Sequence, residues 1–348
     1  MTFKEIKDKR KEQEQLIQNK YNNLDSYKQK LVYIYNILLQ SQQLYLEYRN
    51  DVIFTNEYLE QLISELDENI DESEFVNFIE EKIVSKMLSD HIYIYPLVWE
   101  NEDGSEIKNE SIEEINEPFK NRNVEITFTN DTAIIKIKSF SNKRIDKDAY
   151  LFKNLEQYLN ENDIDNIIID IRGNGGGSDA YFKHFSIFTD EDVNFNDASY
   201  DLFMQQDLSI IWTPIPKGEC KKHYNKYLLI DNKVFSTAEK LAKCCKQTGY
   251  ATLIGEQTLG EGNGFTPYRL KLSDGIYKTK KAESIRKQYG AIGKQVVLNF
   301  PTDAPINEYG QIDYENCYNT KPDIECQSEE ALDVALETIK ESQAKKHK

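Results

Sequence analysis

The chain has 348 residues and a formal net charge of −17, with 39% hydrophobic and 11% aromatic residues. This composition predicts one large or two ordinary domains with a well-formed core. The strong negative charge argues against nucleic-acid binding, which needs basic surfaces, and gives no reason to expect an anionic membrane as a partner. No apolar run approaches the length of a membrane span.

The first twenty residues, MTFKEIKDKRKEQEQLIQNK, contain no apolar segment of the kind found in secretory leaders. We therefore expect a cytoplasmic protein, or an extracytoplasmic one if a leader has been removed. The five cysteines, two of them adjacent, form neither an even disulfide framework nor a CxxC metal motif. The sequence thus predicts free thiols, no metal site and no cofactor.

The amino-terminal quarter of the chain has apolar residues at helical spacing, which predicts a helical domain over residues 1–90. A short strand is predicted over 92–95, with Pro96 ending it. Residues 91–123 are predicted to connect the helical domain to a core that spans residues 124–348.

Strands and helices alternate through that core. A β-hairpin is predicted over 124–140, with its turn at Asn130-Asp131. The later predicted elements are a helix over 146–160, a buried strand ending at Asp170, a helix over 179–188, a strand over 227–230, a helix over 237–246, a strand over 251–254, shorter strands within 267–300 and a helix from Glu329. This alternation predicts an α/β fold with a mixed, largely parallel sheet.

The most informative segment is NIIIDIRGNGGGS, residues 166–178. Its uninterrupted isoleucines predict a strand buried on both faces, and the four glycines that follow allow backbone N–H groups to face a negative oxygen. We therefore expect a site at the carboxyl end of a central strand. A tight turn without a ligand is the plain alternative. A nucleotide site is the weaker one, because GxGxxS lacks the third glycine of the dinucleotide fingerprint.

The second informative segment covers residues 229–264. Ser236 stands at a predicted strand-to-helix junction, where its hydroxyl can face a crevice and the N–H of Thr237 can face an oxyanion. The sequence Ser236-Thr237-Ala238-Glu239 also fits a helix-capping box, in which the serine only satisfies the helix end. Both interpretations remain open from this segment alone.

Taken together, the two segments resemble peptidase family S41, the C-terminal processing and tricorn-type serine proteases. The first matches the family's D-x-R-x-N-x-G-G signature from Asp170 to Gly177. The second matches its S-x-x-E segment at Ser236 and its G-x-A-x-x-x-G-E-x-T-x-G run from Gly249 to Gly260. The resemblance covers residues 85–330 and implies a ClpP/crotonase-like core and a tail-specific type of protease.

The same resemblance implies roles for individual residues. Ser236 would be the nucleophile, and the N–H groups of Thr237 and of Gly175 or Gly176 would form the oxyanion hole. The processing branch has a lysine base in the glycine-rich segment after G-E-x-T, but this chain has Glu261 there. A Ser–Lys dyad is therefore not expected.

The tricorn-type branch instead uses a histidine just after the N-terminal helices, and Asp90-His91 is similar to that segment. His91 is therefore the predicted general base, and His223 is the next candidate. His184 falls in a helix and His347 in the tail. A glutamate near the end of the core supports the site in this branch. Glu315 resembles it, although the segment here is one residue longer and lacks a glycine.

Too few residues separate the strand over 92–95 from Val124 to hold a PDZ domain. The resemblance implies peptides or unfolded proteins as substrates, with no nucleic-acid partner, and the N-terminal helices offer a surface for homo-oligomerisation. The alternative is a catalytically inactive S41-like protein that binds a peptide or an apolar ligand on the same fold.

Overall fold

The computed structural model describes residues 2–49, 54–87, 91–101, 117–220, 222–262, 267–277, 291–307, 309–313 and 319–346. It divides into two compact units. The first comprises Met1–Ser111, Tyr200–Leu208 and Phe265–Ala304, and the second comprises Ile112–Ser199, Ser209–Gly264 and Pro305–Lys348. None of the described helices is both long enough and apolar enough to cross a bilayer.

The helices and strands are numbered in chain order. The helices are α1 (Phe3–Asn22), α2 (Tyr27–Arg49), α3 (Asn56–Glu65), α4 (Glu72–Lys82), α5 (Asn142–Glu161), α6 (Thr237–Thr248) and α7 (Ala331–Lys346), with short 3₁₀ helices at Val84–Lys86 and Asp179–Phe188. The strands are β1 (Tyr93–Asn101), β2 (Val124–Thr129), β3 (Thr132–Ile137), β4 (Asn166–Asp170), β5 (Val193–Asp201), β6 (Gln206–Ile215), β7 (Asn225–Ile230), β8 (Thr252–Gly255), β9 (Tyr268–Tyr277), β10 (Ala291–Phe300), β11 (Asp303–Pro305) and β12 (Ile324–Glu325).

In the first unit, the N-terminal helices share one hydrophobic core with an antiparallel sheet of order β1-β10-β9. Leu31 and Phe75 from the helices and Leu270 from the sheet are completely buried in it. The predicted helical domain of residues 1–90 therefore does not have a core of its own. Amphipathic helices need an apolar partner, and here that partner is a sheet built partly from residues 268–300.

The prediction that Pro96 ends the first strand is wrong, because β1 continues through it to Asn101. Within the described ranges, β1 pairs only with β10 and is an edge strand, so the missing proline N–H can lie on its unpaired side. The strands predicted within 267–300 are also longer than expected, since β9 and β10 have ten residues each.

The second unit is built on a six-stranded sheet of order β12-β8-β7-β4-β3-β2. The β2–β3 hairpin is antiparallel, as the sequence predicts, and every other pair is parallel. The predicted α/β fold with a largely parallel sheet is thus confirmed. β4 lies inside the sheet with all five residues buried. Ile167 and Ile169 pack on one face, and Ile168 packs with α7 on the other.

The carboxyl ends of β4, β7 and β8 lie at the same edge of this sheet because the three strands are parallel neighbours. Each is followed by a segment that the sequence marks as informative: residues 171–178 after β4, 231–236 after β7 and 256–262 after β8. Ligands of open α/β sheets bind at this edge. The fold therefore brings the three segments to the position where a site is expected.

Candidate active site

Ser236 connects β7 to α6 through a backbone conformation that is rare for residues other than glycine. Its φ is 58° and its ψ is −124°, and such a conformation costs about 1–3 kcal/mol and is found mostly at functional sites. Its N–H donates to the Gly260 carbonyl (3.1 Å), and its own carbonyl accepts from the Lys240 N–H (2.9 Å). A sharp strand-to-helix turn of this kind presents a serine hydroxyl at the edge of a sheet.

The helix-capping interpretation of Ser236 is wrong, because its side chain makes no capping hydrogen bond with α6. Glu239, the other half of the expected capping box, is completely buried and accepts a hydrogen bond from the Thr320 hydroxyl (2.6 Å) instead. Burial raises the pKa of Glu239, and the attraction of Lys243 opposes that rise only in part. Glu239 therefore anchors the first turn of α6 to Thr320, and the Ser236 side chain takes no part in capping the helix.

The glycine segment after β4 lies directly against the serine turn. Gly176 has a φ of 94°, and a Cβ on it would lie 2.7 Å from the amide nitrogen of Thr237. The Thr237 hydroxyl donates to the Gly177 carbonyl (3.0 Å). Phe140 also contacts this glycine segment, through an isolated parallel β-bridge to Gly177. The two segments that the sequence identifies are thus in contact.

Asn174 joins the ends of three segments. This role was not predicted from the sequence. It is completely buried. Its Nδ2 donates to the Ile137 carbonyl (3.1 Å), its Oδ1 accepts from the Gly176 N–H (2.8 Å) and its carbonyl accepts from the Phe235 N–H (3.3 Å). The only sequence signal for it was its place in the glycine motif, because its partners are remote in the chain.

Asp170 and Arg172 form a bidentate pair that closes the loop after β4. The guanidinium donates to both carboxylate oxygens, at 2.8 Å and 2.7 Å, and also donates to the Ser328 carbonyl. The hydrogen bonds that Arg172 donates to Asp170 raise the pKa of Arg172. Asp231 ties this loop to the one after β7 by accepting from the Gly173 N–H (2.9 Å). These charges therefore hold the two loops in place.

The backbone N–H groups beside Ser236 differ in their availability. The Gly176 N–H already donates to Asn174. Among the described residues, no acceptor is found for the N–H of Thr237 or for that of the exposed Gly175. Thr237 is the first residue of α6, where unpaired N–H groups and the helix dipole favour negative charge. This arrangement can stabilise an oxyanion next to the Ser236 hydroxyl.

His223, the second candidate base, lies at the amino edge of the sheet, opposite to the carboxyl edge where Ser236 lies. It precedes β7, and its Nδ1 lies 2.8 Å from Oδ2 of Asp190. Together with residues 247–250, at the carboxyl end of α6, it lines a surface cavity. α6 has 12 residues and is therefore about 18 Å long. Ser236 is at the opposite end, so His223 is too far away to take its proton.

His184 is part of the hydrophobic core of the second unit. Its ring stacks on Phe152 with centroids 4.6 Å apart, and its Nε2 lies 2.9 Å from the Ile145 carbonyl oxygen. Burial lowers the pKa of His184 and so favours the neutral ring. This histidine has a packing role and is not a candidate for the base.

His91 belongs to the first unit, where it precedes β1 and its carbonyl accepts a hydrogen bond from Nδ2 of Asn299 (2.8 Å). Glu315 and His347 lie outside the described residues. The structure thus brings Ser236, Thr237, Gly175 and Gly176 together within the second unit. The assignments of His91 and Glu315 stay predictions.

Four of the five cysteines lie in described segments, and all four are free thiols, as the sequence predicts. Cys244 and Cys245 are buried in α6, and burial raises the pKa of Cys244 to about 12. Across the described ranges, no group of three His, Cys, Asp or Glu side chains is arranged to hold a metal ion.

Comparison with known proteins adds a family to this geometry. Residues 131–299 match the model of peptidase family S41. This part of the chain is therefore similar to peptidase family S41. The matched range includes Ser236 and the glycine segment, whereas His91 and Glu315 fall outside it. S41 members are serine peptidases, so peptides are the substrate class.

Two solved structures resemble this chain over most of its length. A candidate peptidase from Parabacteroides merdae is 12% identical, with a TM-score of 0.52 over 87% of this chain and 90% of that one. A lipoprotein from Streptococcus agalactiae is 16% identical, with a TM-score of 0.51 over 90% of this chain and 97% of that one. At these identities the likeness shows the fold alone. No curated protein sequence matches the chain.

Proposed function

We propose that this protein is a peptidase that hydrolyses peptide bonds through an acyl-enzyme on Ser236. The observation that carries the proposal is the conformation of Ser236, with a φ of 58° and no capping bond to the helix that it precedes. A strained serine with a purely structural role would be expected to cap α6, and this one does not. Its position at the carboxyl edge of a parallel sheet also fits a substrate crevice.

The Ser236 hydroxyl is a weak nucleophile near neutral pH and needs a base within hydrogen-bond reach. We assign that base to His91, because His184 is committed to the core and His223 lies at the opposite end of α6. Glu315 would support the imidazolium that forms.

The reaction then proceeds by acyl transfer. His91 takes the Ser236 proton as the hydroxyl oxygen attacks the peptide carbonyl, and the imidazolium returns that proton to the leaving amine. The oxyanion of the tetrahedral intermediate accepts hydrogen bonds from the N–H of Thr237 and from that of Gly175 or Gly176. The Gly175 N–H has no acceptor among the described residues, whereas Gly176 would exchange its bond to Asn174 for one to the oxyanion. Water then attacks the acyl-enzyme and releases the second product.

Casein digestion and labelling by a fluorophosphonate test the proposal. Wild type is expected to digest casein and to be labelled. Ser236→Ala is expected to lose both properties, and His91→Ala is expected to lose activity by about three orders of magnitude or more. Glu315→Gln is expected to reduce the rate less than His91→Ala does. Circular dichroism and urea midpoints establish that each variant is folded.

Matched controls come from the same unit as the serine. Ser209→Ala removes an exposed hydroxyl that donates to Asn196, and His223→Ala removes the histidine at the far end of α6. Both should keep wild-type activity and labelling. Full activity in folded Ser236→Ala would overturn the nucleophile. Full activity in His91→Ala with loss in His223→Ala would overturn the assignment of the base.

A further inference from the structure

The strand β6 lies at an edge of the three-stranded sheet β11-β5-β6. Among the described residues it pairs only with β5, so its other edge has no strand partner there. β6 is ten residues long, and the segment LSIIWTPIP, residues 208–216, carries no charged side chain. Natural proteins usually protect an edge strand by keeping it short, by placing charges on it or by covering it. β6 therefore has the features of a strand that pairs with another strand.

The outer face of β6 is apolar at its centre. Ser209, Ile211 and Thr213 share this face because side chains alternate along a strand, and all three are exposed. Ile211 is 75% exposed. The hydroxyls on either side of it are ordered, since Ser209 donates to Asn196 (2.8 Å) and Thr213 donates to Asn194 (2.9 Å). An exposed isoleucine thus lies between two ordered hydroxyl groups on the solvent side of the sheet.

The side chains of this face follow the same pattern in both directions along the strand. Antiparallel pairing of two copies of β6 about Ile211 would place the two Ile211 side chains opposite each other. It would also place Ser209 of each copy opposite Thr213 of the other. Apolar pairs and Ser–Thr pairs both stabilise an antiparallel ladder. The face is therefore self-complementary, as a two-fold symmetric dimer requires.

The charges at the two ends of the strand favour the antiparallel direction. Asp207 precedes the uncharged segment, and Lys217 follows it. Antiparallel pairing brings the acidic end of each copy towards the basic end of the other, whereas parallel pairing would bring like charges together. In a chain of net charge −17, an uncharged surface is also where two copies meet with least repulsion. The partner that fits β6 is therefore a second copy of this chain.

We propose that β6 is a self-association surface, through which two copies of the chain join their β11-β5-β6 sheets about a two-fold axis at Ile211. Two paired strands bury less than the roughly 1,600 Å² of a standard interface. We therefore expect a dimer that dissociates in the micromolar range. The inference does not depend on the proposed peptidase function, because Ile211 is not part of the candidate active site.

Sedimentation velocity of the whole chain, from about 1 to 200 µM, tests the proposal. Wild type is expected to shift from monomer to dimer over this range. Ile211→Lys is expected to raise the dissociation constant at least about tenfold, because two like charges would face each other at the axis. The matched control is Leu16→Lys, which adds the same charge at another exposed apolar residue, on α1 (57% exposed). It should leave the dissociation constant within about twofold of that of wild type. Circular dichroism establishes that both variants are folded.

Cysteine substitutions measure the register of the pairing. Ile211→Cys, oxidised with copper–phenanthroline, is expected to form a disulfide between two copies, because opposite Cα atoms of an antiparallel pair are about 4.5–5.5 Å apart. Ser209→Cys and Thr213→Cys should each give no such product alone, since like positions would be about 13 Å apart. A mixture of these two variants should crosslink. The parent protein, with its five native cysteines, gives the background.

A wild-type protein that stays monomeric up to about 200 µM would overturn the proposal. A dimer that survives Ile211→Lys would overturn it as well, and if Leu16→Lys disrupts that dimer, self-association belongs to the N-terminal helices. Crosslinking of Ser209→Cys with itself would overturn the antiparallel register. Dissociation of folded Ile211→Lys, together with crosslinking of the mixed cysteine variants alone, supports the proposed surface. The proposed function is tested separately, by casein digestion.

Discussion

The backbone of Gly176 lies so close to Ser236 that a Cβ added to the glycine would be 2.9 Å from the serine Cβ. Real Cβ atoms essentially never come this close to another heavy atom. Gly176 also has a φ of 94°, in the region that side chains disfavour. The glycine motif and the serine motif are thus adjacent in space although sixty residues separate them in the chain.

Gly176→Ala should therefore displace the serine turn. We expect the variant to lose at least about 100-fold in casein activity and about 2–4 kcal/mol in the free energy of unfolding, because the methyl group must push Thr237 and Ser236 away. Urea unfolding and the initial rate of casein digestion measure the two effects. Gly173→Ala is the control, since its φ is 77° but a Cβ there meets nothing within 4 Å. Gly173→Ala should lower the free energy of unfolding by about 1 kcal/mol and keep most of the casein activity. Equal rates for the two variants would contradict this account.

Asn174→Asp tests the residue that joins the three segments. The substitution removes the donor to the Ile137 carbonyl and places a buried carboxylate against that oxygen, so we expect a loss of about 2–4 kcal/mol in the free energy of unfolding. Activity should fall with it, because Gly176 and Phe235 both lose their fixed position. Asn154→Asp is a matched control: Asn154 also donates to a backbone carbonyl, that of Pro118 (2.7 Å), but in an exposed position. Asn154→Asp should lower the free energy of unfolding by less than about 1 kcal/mol. Similar urea midpoints for the two variants would argue against the role of Asn174.

Local patterns were sufficient for most of the second unit. The β2–β3 hairpin, β4, β7, α6 and β8 lie where the sequence predicts them, because each carries its own signal in apolar run, turn residues or helical spacing. The segment over 179–188 forms a 3₁₀ helix. The strands β5 and β6 were missed although β5 alternates buried and outward residues. The strand contains two Asn and two Asp residues, which are typical of loops in a sequence.

The site was predictable only where residues are neighbours in the chain. Ser236 and Thr237 form one turn, and the glycines form another, so each motif could be read directly. Contacts across the chain gave no such signal. Glu239 was read as half of a capping box, but its partner is Thr320, eighty-one residues away. The bonds of Asn174 to Ile137 and Phe235 were hidden for the same reason.

Arg10 tests the stability of the first unit. It is buried, and it pairs with Asp201 (3.0 Å) and with Asp303, while burial lowers its pKa. Arg10→Met leaves both carboxylates buried without their cation, so we expect a loss of about 3–5 kcal/mol in the free energy of unfolding at pH 7. Lys9→Met, on the exposed side of α1, should change it by less than about 0.5 kcal/mol. Urea unfolding followed by circular dichroism makes the comparison, and an equal effect of the two variants would contradict the buried pairing.

Glu239→Gln should change how stability depends on pH. Burial raises the pKa of Glu239 above its ordinary value of 4.5, so the folded protein holds this proton more tightly than the unfolded chain does. The stabilisation is complete below pH 4.5 and is lost as the pH rises through the folded-state pKa. A glutamine side chain at this position would keep an oxygen for the Thr320 hydroxyl without titrating. We therefore expect the urea midpoint of wild type to fall relative to that of the variant as the pH rises above 4.5. Glu161→Gln, at the exposed end of α5, should follow wild type throughout. Parallel pH profiles for wild type and Glu239→Gln would show that the buried carboxyl group does not control this dependence.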